Sequence, residues 1–141
     1  MSLTISKISA AETRGLRQAV LWPDNPPAHC MLEGDETANH FGGTIDGILT
    51  GVVSVFADEQ NQMRLRKFAI LPEFQGQRIG SALVQHVVDY LEPTPTRLLW
   101  CDARLEAIPF YKKQGFEEEG SVFVKSGKPY IRMSCRLRGL P

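Results

Sequence analysis

"LPEFQGQRIGSALVQ", Leu71 to Gln85, decides how this chain is read. A strand-like run precedes it and a segment of helical spacing follows it. Between them Gln75-Gly76-Gln77-Arg78-Ile79-Gly80-Ser81 places two glycines, two amides and a guanidinium. A turn from the carboxyl end of a strand to the amino end of a helix gathers backbone N–H groups at the positive pole of the helix dipole, and glycine lets a ligand come close to that backbone. A pyrophosphate is the natural occupant. Taken alone, Gly76 and Gly80 equally suit a tight turn with close helix packing. The other phosphate-binding patterns do not fit: a P-loop requires Gly-Lys followed by Ser or Thr, and a dinucleotide fingerprint requires G-x-G-x-x-G directly after the first strand.

Working outward, Met63 to Leu71 reads as a strand. Ile79, Ala82, Leu83, Val87, Tyr90 and Leu91 repeat at helical spacing, and Pro93 and Pro95 close that helix. "RLLWCDA" is a short apolar run suited to a strand buried on both faces. Met63 to Asp102 is therefore a strand-helix-strand crossover, which sets its two strands parallel. Next, "EAIPFYKKQ" reads as a short helix that tolerates Pro109 in its first turn and ends at Gly115. "FEEEGSVFV" and "PYIRMSCRL" read as two strands joined at Ser126-Gly127-Lys128. Upstream, "LTISKIS" reads as a strand, and Ser9 with Glu12 has the spacing of a capping box that starts a helix toward Leu21. Pro23 ends it. Trp22 to Asp35, with Pro23, Pro26 and Pro27, reads as a loop or broken helix. "HFGGTI", Asp46-Gly47 and "ILTGVVSVF" read as a hairpin. The order is strand, helix, three strands, helix, strand, helix, two strands, a mixed α/β domain expected to span residues 1–141. Ligands favour the carboxyl ends of parallel strands in such sheets.

Composition removes whole classes of function. The 141 residues carry 16 basic and 16 acidic side chains, so no bulk field recommends nucleic acid or an anionic membrane as a partner. Cys30, Cys101 and Cys135 are odd in number and widely spaced, which argues against a disulfide framework or a zinc site and for a reducing, cytoplasmic setting. No metal is expected. No apolar run approaches the roughly 18 residues of a membrane span, and the first residues do not read as an export signal.

At the glycine turn the sequence resembles the GNAT superfamily of acyl-CoA-dependent N-acetyltransferases. That family's pyrophosphate loop reads Gln or Arg, x, x, Gly, x, Gly or Ala, after a strand ending in apolar-x-apolar-x-Pro. Here Phe68-Ala69-Ile70-Leu71-Pro72 precedes Gln75-Gly76-Gln77-Arg78-Ile79-Gly80, so Gln75 and Gly80 match and Arg78 stands at the first glycine position. Ala107-Ile108-Pro109-Phe110-Tyr111-Lys112-Lys113-Gln114-Gly115-Phe116 is similar to the family's second signature, with Arg104 where the family often has Asn. "LWP", His40-Phe41-Gly42 and "KPYIRMSCRL" are similar to the small ElaA-like branch. The resemblance implies a twisted mixed sheet with helices on both faces around a strand-helix-strand CoA-binding core. It further implies acetyl-CoA as co-substrate and direct transfer to a primary amine. The alternative is a CoA-binding module with little or no catalysis, suggested by Arg78 and Arg104.

The resemblance assigns pyrophosphate to the main-chain amides of Gln75, Gly76, Gln77, Arg78, Ile79, Gly80 and Ser81, and pantetheine to the strand backbone of Phe68, Ala69 and Ile70. Arg104, Ala107 and Phe110 are further cofactor contacts on the same basis. Tyr111 is the family's candidate general acid, because a phenol with an ordinary pKa of about 10 stays protonated at neutral pH. For the base, His40 has the suitable ordinary pKa of about 6.5. Asp35, Glu36 and Glu73 are further options, read more simply as solvated loop charges. Cys101 reads as a small core residue, Arg64, Arg66 and Lys67 as a solvated basic face of a strand, and Trp22 and Trp100 as packing residues. The terminal "PYIRMSCRL" strand is expected at a sheet edge, where two copies of the chain can pair.

Overall fold

A computed structural model describes residues 2–138. Strands β1 (Leu3–Ile8), β2 (Asn39–Ile45), β3 (Ile48–Ala57), β4 (Met63–Ile70), β5 (Leu98–Arg104), β6 (Glu117–Lys125) and β7 (Lys128–Arg136) form one mixed sheet in the order β1-β2-β3-β4-β5-β7-β6. Helices α1 (Ala10–Leu21), α2 (Ile79–Leu91) and α3 (Ile108–Lys113) complete it, in the element order the sequence gives. The chain divides into two compact units. One comprises Met1–Phe56 with Leu65–Val87, the other Ala57–Arg64 with Val88–Pro141.

In the first unit, local signals set the boundaries. Ser9 Oγ accepts from the Glu12 N–H at 3.2 Å, and Glu12 Oε1 accepts from the Ser9 N–H at 2.9 Å, so the capping box forms. Asp46 and Gly47 take φ of 50° and 79°, which closes the β2–β3 hairpin in a tight primed turn. Gly51 lies in β3 beneath α2. A Cβ there would come within 2.5 Å of Ile70 Cδ1 and 3.2 Å of Leu83 Cδ1, so a larger residue would need those side-chain ends to move. Ile79, Leu83 and Val87 are buried along one face of α2, whereas Tyr90, expected on that face, is exposed. On another side of the sheet, Leu16 of α1 packs with Val52 and Ala69.

In the second unit, β4 begins parallel to β5, in the register Met63↔Leu99 and Arg64↔Trp100, as the crossover requires. Leu99, Trp100 and Cys101 are consecutive and all buried, so β5 is covered on both faces as expected. The terminal strand departs from expectation. β7 pairs with β5 from Leu98↔Arg136 to Arg104↔Tyr130, which leaves β6 as the edge. The hairpin could enter the sheet with either strand inward, and side-chain chemistry decides it. Ile131 and Met133 of β7 are buried, while Glu117, Glu118 and Glu119 of β6 lie exposed, where charge suits an edge.

Candidate active site

The glycine turn begins with a clasp. Gln75 Nε2 donates to the Ile70 carbonyl at 3.1 Å, tying the turn to the end of β4, and the Gln75 N–H donates to the Pro72 carbonyl at 3.2 Å. The Gln75 main-chain amide, assigned above to an anion, is thus held within the Pro72–Phe74 turn of 3-10 helix. Gly76 then takes φ 81° and Arg78 φ 64°. Arg78 therefore adopts the left-handed conformation normally left to glycine at the position where the related loops carry one. Gly76, Gln77 and Arg78 are exposed. The Arg78 carbonyl accepts the Ala82 N–H at 3.1 Å and starts α2, so the Ile79 and Gly80 amides fall in a first turn that lacks helical acceptors. Upstream in β4, Lys67 takes φ 54°, a left-handed residue inside a strand and immediately before Phe68, Ala69 and Ile70.

His40 is 2% exposed and engaged at both ring nitrogens. Nδ1 lies 2.7 Å from Ser54 Oγ, and Nε2 lies 2.8 Å from the Asp35 carbonyl. Asp35 is not a solvated loop charge. Arg17, 0% exposed in α1, grips both its oxygens at 2.8 and 3.1 Å. Burial pushes the Asp35 carboxyl up, but hydrogen bonds from Arg17 and the Leu32 N–H, with the charge of Arg17, outweigh it and hold the group below the usual carboxylate range. Glu36 and Glu73 are exposed, as read from the sequence.

Tyr111 lies in the second unit, in α3, against Phe110 and Phe116 with ring centroids at 5.1 and 5.3 Å. Only 7% of it is exposed, and its hydroxyl pairs with Cys101. Burial, reinforced by Cys101, raises the phenol well above its ordinary value, so it stays protonated across the working range. Burial likewise pushes the Cys101 thiol up to about 12, which makes it an inert core residue. Ala107 and Phe110 are partly buried near the start of α3. Arg104 pairs with Glu106 at 3.2 Å and lies over the Tyr130 ring.

The basic residues of β4 are not a solvated face. Arg64 pairs with Asp102 at 3.0 Å and stacks on Trp100, Arg66 lies over Phe56, and Lys67 Nζ sits 4.7 Å from the centre of Trp22. Trp100 is a packing residue as expected, buried beneath Arg132 and Arg64 with its Nε1 donating to Asp58. Sequence reading gave no part in the site to Arg17, Ser54 or Cys30. The one available signal was an arginine at helical spacing from Val20 and Leu21 in α1.

The mixed sheet thus carries its glycine turn between the carboxyl end of β4 and the amino end of α2. Residues 24–137 match the family model described as "Acetyltransferase (GNAT) domain", and the chain belongs to that family. It is 30% identical over 129 residues to the uncharacterized N-acetyltransferase YitI of Bacillus subtilis, covering 86% of this chain and 87% of the relative. The fold is shared with a putative N-acetyltransferase from Lactobacillus plantarum (TM-score 0.85, 16% identity, 97% and 99% of the two chains). It is shared with Escherichia coli ElaA as well (TM-score 0.80, 18% identity, 95% and 99%). A GNAT family acetyltransferase from Elizabethkingia anophelis, solved with acetyl-CoA bound, has the same fold (TM-score 0.74, 15% identity, 96% and 98%). The protein is an N-acetyltransferase, which sets aside the reading as a module without catalysis. Among the described residues no cluster of His, Cys, Asp and Glu suits a metal, and no helix is long and apolar enough to cross a membrane.

Proposed function

We propose that acetyl-CoA is the donor, that a primary amine attacks its thioester directly, and that residues 1–141 work as a single catalytic domain. Main-chain amides from Gly76, Gln77, Arg78, Ile79, Gly80 and Ser81 take the pyrophosphate, and the backbone of Phe68, Ala69 and Ile70 pairs with the amide-rich pantetheine. The observation that carries the assignment is the left-handed pair Gly76 and Arg78 leading into α2. Left-handed residues just before a helix can turn successive N–H groups toward one ligand, where the helix dipole favours an anion. In this reading an N–H near Ile70 stabilises the developing oxyanion, and Arg104, Ala107 and Phe110 flank the pantetheine arm.

Tyr111 supplies the proton to the departing thiolate. Its raised pKa keeps that proton available, and the hydroxyl must leave Cys101 to deliver it. His40 is buried with both ring nitrogens already engaged, by Ser54 Oγ and the Asp35 carbonyl, so neither is offered to an incoming amine. The amine's proton passes instead to water.

Calorimetry with acetyl-CoA, CoA and pantetheine tests the donor site, and release of CoA thiol across a panel of amines and peptides tests the reaction. Micromolar binding that pantetheine alone does not reproduce is expected. Equal affinity for pantetheine and CoA overturns the pyrophosphate assignment.

A further inference from the structure

The segment from Trp22 to Ala38 is held locally by short turns, among them the Asn25 N–H on the Trp22 carbonyl, His29 on Pro26 and Ala38 on Gly34. Pro23, Pro26 and Pro27 deny it a backbone ladder, and its regular structure is a single turn of 3-10 helix, Pro27–Cys30. It is nevertheless closed on one residue. The Arg17 carbonyl accepts the Trp22 N–H at 3.2 Å, so the backbone of Arg17 fixes the point where the segment leaves α1. The Arg17 guanidinium fixes its return, donating to the Cys30 carbonyl at 3.0 Å and to both oxygens of Asp35. Asp35 passes the constraint on, accepting the Leu32 N–H at 2.9 Å through Oδ2 and His40 Nε2 through its carbonyl.

The knot is anchored to the sheet. Arg17 Nη2 also donates to Ser54 Oγ at 2.9 Å, and that hydroxyl is 2.7 Å from His40 Nδ1. The Asp35 carbonyl can only accept, so Nε2 carries a hydrogen, and Nδ1 of the neutral ring then accepts from the Ser54 hydroxyl. β2, β3, α1 and the segment thus share one buried network. Stability alone does not explain it, because a buried ion pair is often no better than apolar side chains of the same volume, and Arg17 Nε lacks a hydrogen-bond partner among the described residues. At the head of the segment the Trp22 N–H is capped by the Arg17 and Gln18 carbonyls. The indole lies edge-on to His29 at 4.7 Å and beneath Lys67 Nζ, and Lys67 is the left-handed residue immediately before the strand backbone assigned to the donor.

We infer that Arg17 is a positioning residue for the acceptor side of the reaction. Through Asp35, Cys30 and Ser54 it holds Trp22 to Ala38 in one conformation against β4, and that conformation orients the amine. The inference rests on the transferase reading only for what the segment faces.

The deciding variant is the double Arg17→Met/Asp35→Ala, which removes both charges and leaves neither buried alone. The expected result is a folded protein with faster hydrogen exchange across residues 22–38. Its KM for an accepted amine should rise about tenfold or more, with acetyl-CoA affinity kept within about twofold, since donor contacts lie elsewhere. If the double variant does not fold, Ser54→Ala removes one strut, leaves the ion pair intact and should move KM for the amine in the same direction by a smaller factor. A folded variant whose KM for the amine equals that of the natural protein overturns the inference, whatever its exchange rates. If the natural protein acetylates no amine, the transferase reading fails instead, and exchange decides whether the knot orders the segment: unchanged protection overturns it and lost protection supports it.

Discussion

Two irregular segments of the first unit, Gln75–Ser81 and Trp22–Ala38, are held in opposite ways. The first is shaped by its own chain: the Gln75 amide closes the preceding turn, its side chain clasps the end of β4, Gly76 and Arg78 bend left-handed, and α2 begins. The second is shaped by residues far away in sequence, with Arg17 reaching 18 positions to Asp35 and 37 to Ser54. In our reading a donor whose diphosphate is constant is met by local backbone geometry. An acceptor that differs from enzyme to enzyme is met, in our reading, by a segment that tertiary contacts hold in place.

The contrast is broken most severely by Arg17→Met alone. Asp35 then stays buried without its partner, and a loss of about 3 to 5 kcal/mol is expected in urea denaturation, as for other broken buried pairs. A loss as small as that of an exposed arginine would show the knot to be solvated. Tyr111→Phe comes next and tests the second unit. The ring's packing remains, kcat falls by about 10² to 10⁴, and acetyl-CoA affinity and melting temperature barely change. Because the phenol is raised well above 10, the natural enzyme should show no loss of rate assignable to Tyr111 below about pH 10. Near-normal kcat in the folded variant makes Tyr111 a packing residue and solvent the acid.

Gly80→Asp brings bulk and negative charge to the start of α2, and acetyl-CoA should bind on the order of tenfold more weakly, with little change in folding. Calorimetry that finds equal affinity removes pyrophosphate from the turn. A smaller effect is expected from acid. The carboxyl of Asp35 is lowered in the folded state, so its contribution to stability is complete above its unfolded value near 3.8 and is lost as pH falls through the lower folded value. Stability measured against pH should show that acid limb in the natural protein and lose it in Arg17→Met/Asp35→Ala. Smallest of all is Arg78→Gly. It relieves a left-handed side chain but frees the unfolded chain, so stability should move by less than about 1 kcal/mol. Acetyl-CoA affinity should stay within about threefold if main chain, and not the guanidinium, binds the diphosphate. A larger loss would give Arg78 a direct phosphate contact.

The sequence by itself determined what short-range chemistry controls. The capping box of Ser9 and Glu12, the Asp46-Gly47 turn and the bounds of α2 follow from neighbours a few residues apart, and the parallel crossover from β4 to β5 follows from the order of elements; each took the expected form. The glycine turn and the Tyr111 helix were legible for the same reason, and they carried the family. Tertiary structure alone decided three other matters. The order of β7 and β6 depended on which strand's side chains could be buried against β5, and hairpin periodicity is blind to that choice. The stacking of Arg64, Arg66 and Lys67 on aromatic rings required partners from other strands and from the end of α1. Asp35 read as a solvated loop charge and His40 as a candidate base until α1 brought Arg17 to Asp35 and Ser54. A charge leaves water only when a partner is fixed within hydrogen-bonding reach, and a partner 18 residues away in the chain is fixed there only by the completed fold.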